Sequence, residues 1–166
     1  MKNISFFIIL FSIFCQSQKN YTSAELIEKS ELQYKNQLEN SIVKNIQFVN
    51  IGPSVMSGRV TDIEVNPKNS TEFYVAYASG GLWHTINNGT TFEPIMDNSI
   101  TQNIGDFAID WESKTIFVGT GESNSSRSSY PGIGVIKSTD NGKTWQNVGL
   151  RDSHHVSRIL INPKDN

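Results

Sequence analysis

The sequence predicts an all-β chain of four-stranded antiparallel meanders in tandem, entered through a short helix. Two observations lead there. TINNGTTF (Thr85 to Phe92) and STDNGKTW (Ser138 to Trp145) match position by position at an offset of 53 residues. Each copy also follows short segments rich in Val, Ile, Phe and Tyr that recur in the same order, and a repeat at that period is the mark of a repeated supersecondary unit.

The first stretch is not part of that fold. MKNISFFIILFSIFCQSQ has Lys2 near its start, an apolar run from Ile4 to Phe14, then small and polar residues. This pattern is a secretory signal peptide, too short to span a bilayer. Cleavage after Ser17 puts Cys15 and Ser17 at the −3 and −1 positions. A lipoprotein reading would instead make Cys15 the acylated residue, although Phe14 stands where a small side chain is wanted. The signal is assigned to residues 1–17, and the mature chain then has no cysteine, which excludes disulfides and thiolate chemistry. No second apolar run is long enough to cross a membrane. A formal net charge of −2 with four arginines argues against a nucleic-acid surface.

Residues 18–46 read as a helical leader. Thr22-Ser23-Ala24-Glu25 fits a capping box, and Leu26, Ile27, Leu32, Tyr34 and Leu38 recur among polar residues. One helix is expected from Ser23 to about Leu38, leading through Val43–Ile51 into residues 47–166.

The strands follow in order. The first unit, about 58–97, is expected to hold strands at Arg59–Val65, Phe73–Ala78, Gly81–Ile86 and Thr91–Met96. The second, about 104–149, holds Asp106–Asp110, Thr115–Gly119, Gly134–Ser138 and Thr144–Val148. Asn-Gly closes the third-to-fourth hairpin both times. Ser157 to Asn166 repeats GRVTDIEVNPKNS, so a third unit opens at about 155–166. Four strands per repeat are β-propeller blades, here two complete and the start of a third. The chain stops inside a repeat and is read as the N-terminal part of a longer protein whose remaining blades are its partners.

The motif S-x-D-x-G-x-T-W at Ser138 to Trp145 resembles the Asp-box, or BNR, motif of sialidases, sortilin-type receptors and secreted bacterial propeller proteins. Together with GRVTDIEVNP, ASGGLWHT and GTGE, the chain from about Gln47 looks like the sortilin-like/BNR propellers often labelled glycosyl hydrolases. The residues themselves assign the motif to structure, because a repeated motif cannot sit at one active site. Asp140 accepts turn amides, the Ser138 and Thr144 hydroxyls close the turn, Gly142 supplies a positive φ and Trp145 packs between sheets. The first copy uses Thr85, Asn87, Gly89, Thr91 and Phe92 in the same places.

Strand order then separates two faces. Both Asp-boxes and the Pro67–Ser70 loop lie at the bottom. The top gathers Arg59, Ser79-Gly80-Gly81, Asp106, the Gly121–Gly132 insertion and His154-His155, and such loops are where function sits. The ligand-binding candidates are Arg59, Asp106, Glu122, Asn124, Arg127 and His155. Arg59 could bind a carboxylate or pair with Asp62 or Asp106; Glu122 and Arg127 could pair with each other. Adjacent histidines on a strand face opposite sides, so no metal site is expected, and no cofactor. The xyloglucan-cleaving propellers carry a catalytic Asp shortly before the Gly-Gly pair, where this chain has Ala78 and Ser79. Two functions remain: a secreted propeller that binds an extracellular peptide or glycan, or a glycoside hydrolase whose acids lie outside these residues.

N-terminal sequencing of the exported protein is expected to begin at Gln18. A diacylated Cys15 at the mature terminus would replace secretion by lipid anchoring.

Overall fold

The structure is a computed structural model and describes residues 22–47, 58–124, 129–162 and 164. The signal segment, Arg127 and part of the lead-in to the first strand lie outside the described residues. No helix among the described residues is long and apolar enough to cross a membrane.

Helix α1 spans Ala24–Glu39. Ser23 caps it, with the Leu26 N–H donating to Ser23 Oγ at 3.3 Å. The cap is therefore one residue later than the Thr22 of the expected box, and Glu25 falls in the first turn, where its charge suits the positive helix end. Ala24 is buried and Ile27 packs beside it against the same cluster as Met96, Ile104, Ile133 and Ile136. An ion pair between Arg151 and Glu28 ties the helix to the segment that follows the last strand.

Two four-stranded antiparallel sheets follow, each a meander in sequence order. The first contains β1 (Val60–Val65), β2 (Phe73–Tyr77), β3 (Gly81–Thr85) and β4 (Glu93–Pro94). The second contains β5 (Ile104–Asp110), β6 (Thr115–Thr120), β7 (Val135–Ser138) and β8 (Gln146–Gly149). These are the expected propeller-like blades, all-β with one helix. The largest departure is β4, paired over two residues where six were expected, because Pro94 has no amide to extend the ladder. A register shift interrupts the first strand pair of each sheet at the same place, between Val60 and Asp62 and between Ile104 and Asp106.

Alternation decides which faces meet. Tyr74 and Ala76, with their cross-strand partner Leu82, form one face of the first sheet. Phe107, Ile109, Ile116, Val118 and Ile136 form the facing side of the second. These residues are buried in a single cluster, and Tyr74 meets Phe107 edge-on at 6.5 Å between ring centroids.

A second set of contacts joins consecutive units at their upper ends. Gly81 N–H donates to Gln102 O and Ile104 N–H donates to Ala78 O, pinning the linker out of the first sheet. The same pair recurs one unit on, with Gly132 N–H donating to His154 O and Val156 N–H to Thr120 O. Glycines make the second approach possible. A Cβ at Gly105 would lie 2.2 Å from Val156 O, and one at Gly121 would lie 1.9 Å from His154 O. Among the described residues, 154–162 contain no assigned strand, so the expected third unit appears as a strap laid on β5 and β6.

Gly121→Ala is expected to lift that strap, since the backbone it would strike cannot yield as a side chain tip can, and φ there is +85°. Destabilisation of about 1–3 kcal/mol and faster amide exchange at Gly132 and Val156 would be read by thermal melts and hydrogen exchange. Unchanged protection at Val156 would contradict the close packing.

Candidate functional site

The two Asp-box turns occupy equivalent positions and bond alike. In the second, Ser138 Oγ donates to Asp140 Oδ1 at 2.8 Å and accepts from Gly142 N–H at 2.8 Å. Thr144 donates twice to Asp140, from its amide at 2.9 Å and its hydroxyl at 2.6 Å. Asn141 and Gly142 both have positive φ, 60° and 85°, as do Asn88 and Gly89 in the first turn. The first copy shows why Asn87 can replace the acid. Its Oδ1 still accepts the Thr91 amide at 2.9 Å, while its Nδ2 donates to Thr91 Oγ1 at 2.9 Å. A hydroxyl both donates and accepts, so one bond reverses and the turn survives.

The second turn also reaches the neighbouring sheet. Trp145 Nε1–H donates to Ile95 O at 3.2 Å, and Tyr74 Oη donates to Asn141 Oδ1 at 2.5 Å. Phe92, in the Trp145 position of the first box, packs instead on Phe73 of its own sheet.

The upper-face candidates divide into two groups. Arg59, immediately before β1, brings its guanidinium to 2.7 Å from Glu122 Oε2. Glu122 is wholly buried, whereas the Arg59 side chain is 38% exposed. Neither Glu122 oxygen has a hydrogen bond of good geometry among the described residues, so the pair is held by charge contact rather than by an aligned fork. The partner of Arg59 is thus Glu122, and not Asp62 or Asp106. Arg127 lies outside the described residues. Asn124 is exposed two residues beyond Glu122. The linker carbonyl of His154 is bound at Gly132, which brings the exposed His155 to the same end of the sheet.

Asp106 belongs to a separate group. It is buried on β5, accepts the Ile159 amide at 2.7 Å and lies 3.8 Å from Arg158 Nε. Burial pushes its carboxyl above the usual range; the Ile159 hydrogen bond opposes this and neighbouring Asp62 reinforces it. Glu64 is raised too, by burial and then by Asp62 and Asp106. Asp110 acts at the strand end, accepting from Glu112 N–H and Ser113 Oγ.

A polar network that the sequence did not reveal crosses between the sheets. Glu72 receives Lys114 Nζ at 2.8 Å and Asn66 Nδ2 at 2.6 Å, and its Oε1 lies 3.2 Å from His84 Nε2. Burial alone would raise Glu72, but these donors bring it below the ordinary value. Burial lowers His84, opposed by Glu72, so the imidazole is held toward neutrality. Its ring stacks on Tyr74 with 4.2 Å between centroids. Only the spacing of Glu72 and His84 across a β2–β3 pair could have hinted at it, and Lys114 arrives from the other repeat. No group of three or more metal-ligating side chains is found among the described residues.

No protein-family model matches the chain, and no curated protein matches it. Among solved structures it is similar to the crystal structure of the Niastella koreensis GH74 enzyme, at 23% sequence identity and a TM-score of 0.41. That match covers 54% of this chain and 14% of the enzyme, so the chain spans a small fraction of its length.

Asp140 yields a prediction with a definite sign. Hydrogen bonds from Thr144 and Ser138 lower its pKa from 3.8 to about 2. A depressed carboxyl contributes stability above its ordinary pKa and loses it as pH falls through the folded value. Asp140→Ala should therefore melt earlier than the parent at pH 6, with the gap closing between about pH 4 and pH 2. A gap independent of pH would mean that the charge on Asp140 does not hold the turn.

Proposed function

We propose that the chain forms part of an exported binding propeller whose upper face holds an extracellular glycan or peptide, with Arg59 as the anchoring residue. The observation that carries this reading is the Arg59–Glu122 pair. A buried carboxylate without aligned hydrogen bonds is costly, and a fold keeps such a group where it positions something else. Here it holds a guanidinium at the mouth with its side chain more than a third exposed. Arginine presents five donors in a planar fork, which suits a carboxylate or vicinal hydroxyls.

Hydrolysis of a glycosidic bond asks for two acids placed across it, roughly 5–10 Å apart. Among the described residues of this face, Glu122 is engaged by Arg59, and Asp106 by Ile159 and Arg158. Ala78 and Ser79 offer no acid. Binding is therefore favoured over hydrolysis for these residues, and a hydrolase would draw its acids from elsewhere.

A uronate-containing oligosaccharide and a short peptide with a free C-terminal carboxylate are suitable probes for calorimetric titration of the full-length protein. Arg59→Lys keeps the charge beside Glu122 but removes the fork, and should weaken binding about tenfold with a small change in thermal midpoint. Arg59→Ala strands the buried carboxylate and should cost about 3 kcal/mol of stability. Equal affinity in the parent and Arg59→Lys would remove Arg59 from the ligand site.

A further inference from the structure

The lower face carries a groove that the upper-face reading does not use. A cleft of about 480 Å³ runs between α1 and the second Asp-box, with Trp145, Ile136, Glu31, Asn98 and Lys143 among its walls. A second cleft of about 270 Å³, bordered by His84 and Asn141, shares Asn98 and Lys143 with the first. The two are therefore neighbouring compartments of one groove. The larger lies within the roughly 300–1,000 Å³ range of small-molecule sites.

The lining chemistry selects a class of occupant. Trp145 has its only donor committed to Ile95 O, so it offers the cleft carbon surface. Charges on the helix wall are already balanced, Glu31 by Lys35 at 2.6 Å and Glu28 by Arg151. An ionic ligand would have to compete with those pairs. Asn98 and Lys143 stand exposed at the junction, and among the described residues neither side chain makes a hydrogen bond or ion pair. An apolar indole wall, balanced charges and unclaimed donors at a shared border fit a neutral ring with one carbon face and a rim of hydroxyls.

We infer that this groove binds a neutral oligosaccharide, one ring in each compartment, with Asn98 and Lys143 at the linkage between them. The site is independent of the upper face and does not require Arg59 to touch any ligand.

Tryptophan-fluorescence titration of the full-length protein with cellobiose, lactose and maltose tests the inference. At least one disaccharide should bind with Kd on the order of 1 mM, as expected for a small neutral ligand with few anchors. Asn98→Ala and Lys143→Ala, both exposed positions whose loss leaves the core intact, should each weaken it by about tenfold. Arg59→Lys should leave it unchanged. The inference is overturned if none of the three sugars binds, or if binding ignores both groove substitutions. It is equally overturned if Arg59→Lys abolishes binding, which would move the sugar to the upper face, or if a short Leu/Ile-rich peptide occupies the groove in preference to all three sugars.

Discussion

The architecture depends on a turn held by one carboxylate. Asp140 ties down both donors of Thr144, and through the Ser138 hydroxyl it organises the amide of Gly142. That geometry sends Trp145 to Ile95 of the other sheet and places Asn141 under the hydroxyl of Tyr74. Gly142 itself has no room for a side chain, since a Cβ there would lie 2.8 Å from Ile95. An isolated neutral hydrogen bond contributes about 1 kcal/mol. Here several act on one loop, and together they fix the register of two sheets whose apolar faces would otherwise be free to slide.

The cross-sheet network works at the same seam by different means. Glu72 collects a lysine, an asparagine and a histidine, and Lys114 also lies 4.7 Å over the Trp111 ring. Lys114 is the telling member, since it comes from the second repeat to satisfy an acid of the first. A charge buried at an interface is stable only when its partners arrive together, so this cluster favours one relative placement of the sheets.

Much of this was legible in the sequence because periodicity and turn chemistry are local. The strands of both units fall where alternation and the Asn-Gly pairs put them, and the bonds of Asp140 follow from a hydroxyl two residues before and four after it. The helix cap was misplaced by one because Thr22 and Ser23 are chemically equivalent caps, and packing of Ala24 chose between them. β4 shortened because Pro94 removes a donor, a local fact outweighed in the sequence by the repeat pattern. Non-local partners were not legible. Nothing near Arg59 in sequence names Glu122, 63 positions away, and the Asp106 bond to Ile159 joins an acid to a backbone amide that carries no sequence mark.

The linkers between units carry a direction. Each is received by groups that precede it in the chain: Gly81 and Ala78 hold the linker at Gln102–Ile104, while Thr120 and Gly132 hold the one at His154–Val156. No bond in either joint waits for a residue further along. A chain emerging from its N-terminus can thus complete each joint as soon as the linker appears, using the finished sheet as a template for the next. Growth of this kind is vectorial, like zipping from one end, and it keeps each newly exposed sheet edge unpaired for only the time needed to extend the chain by one unit.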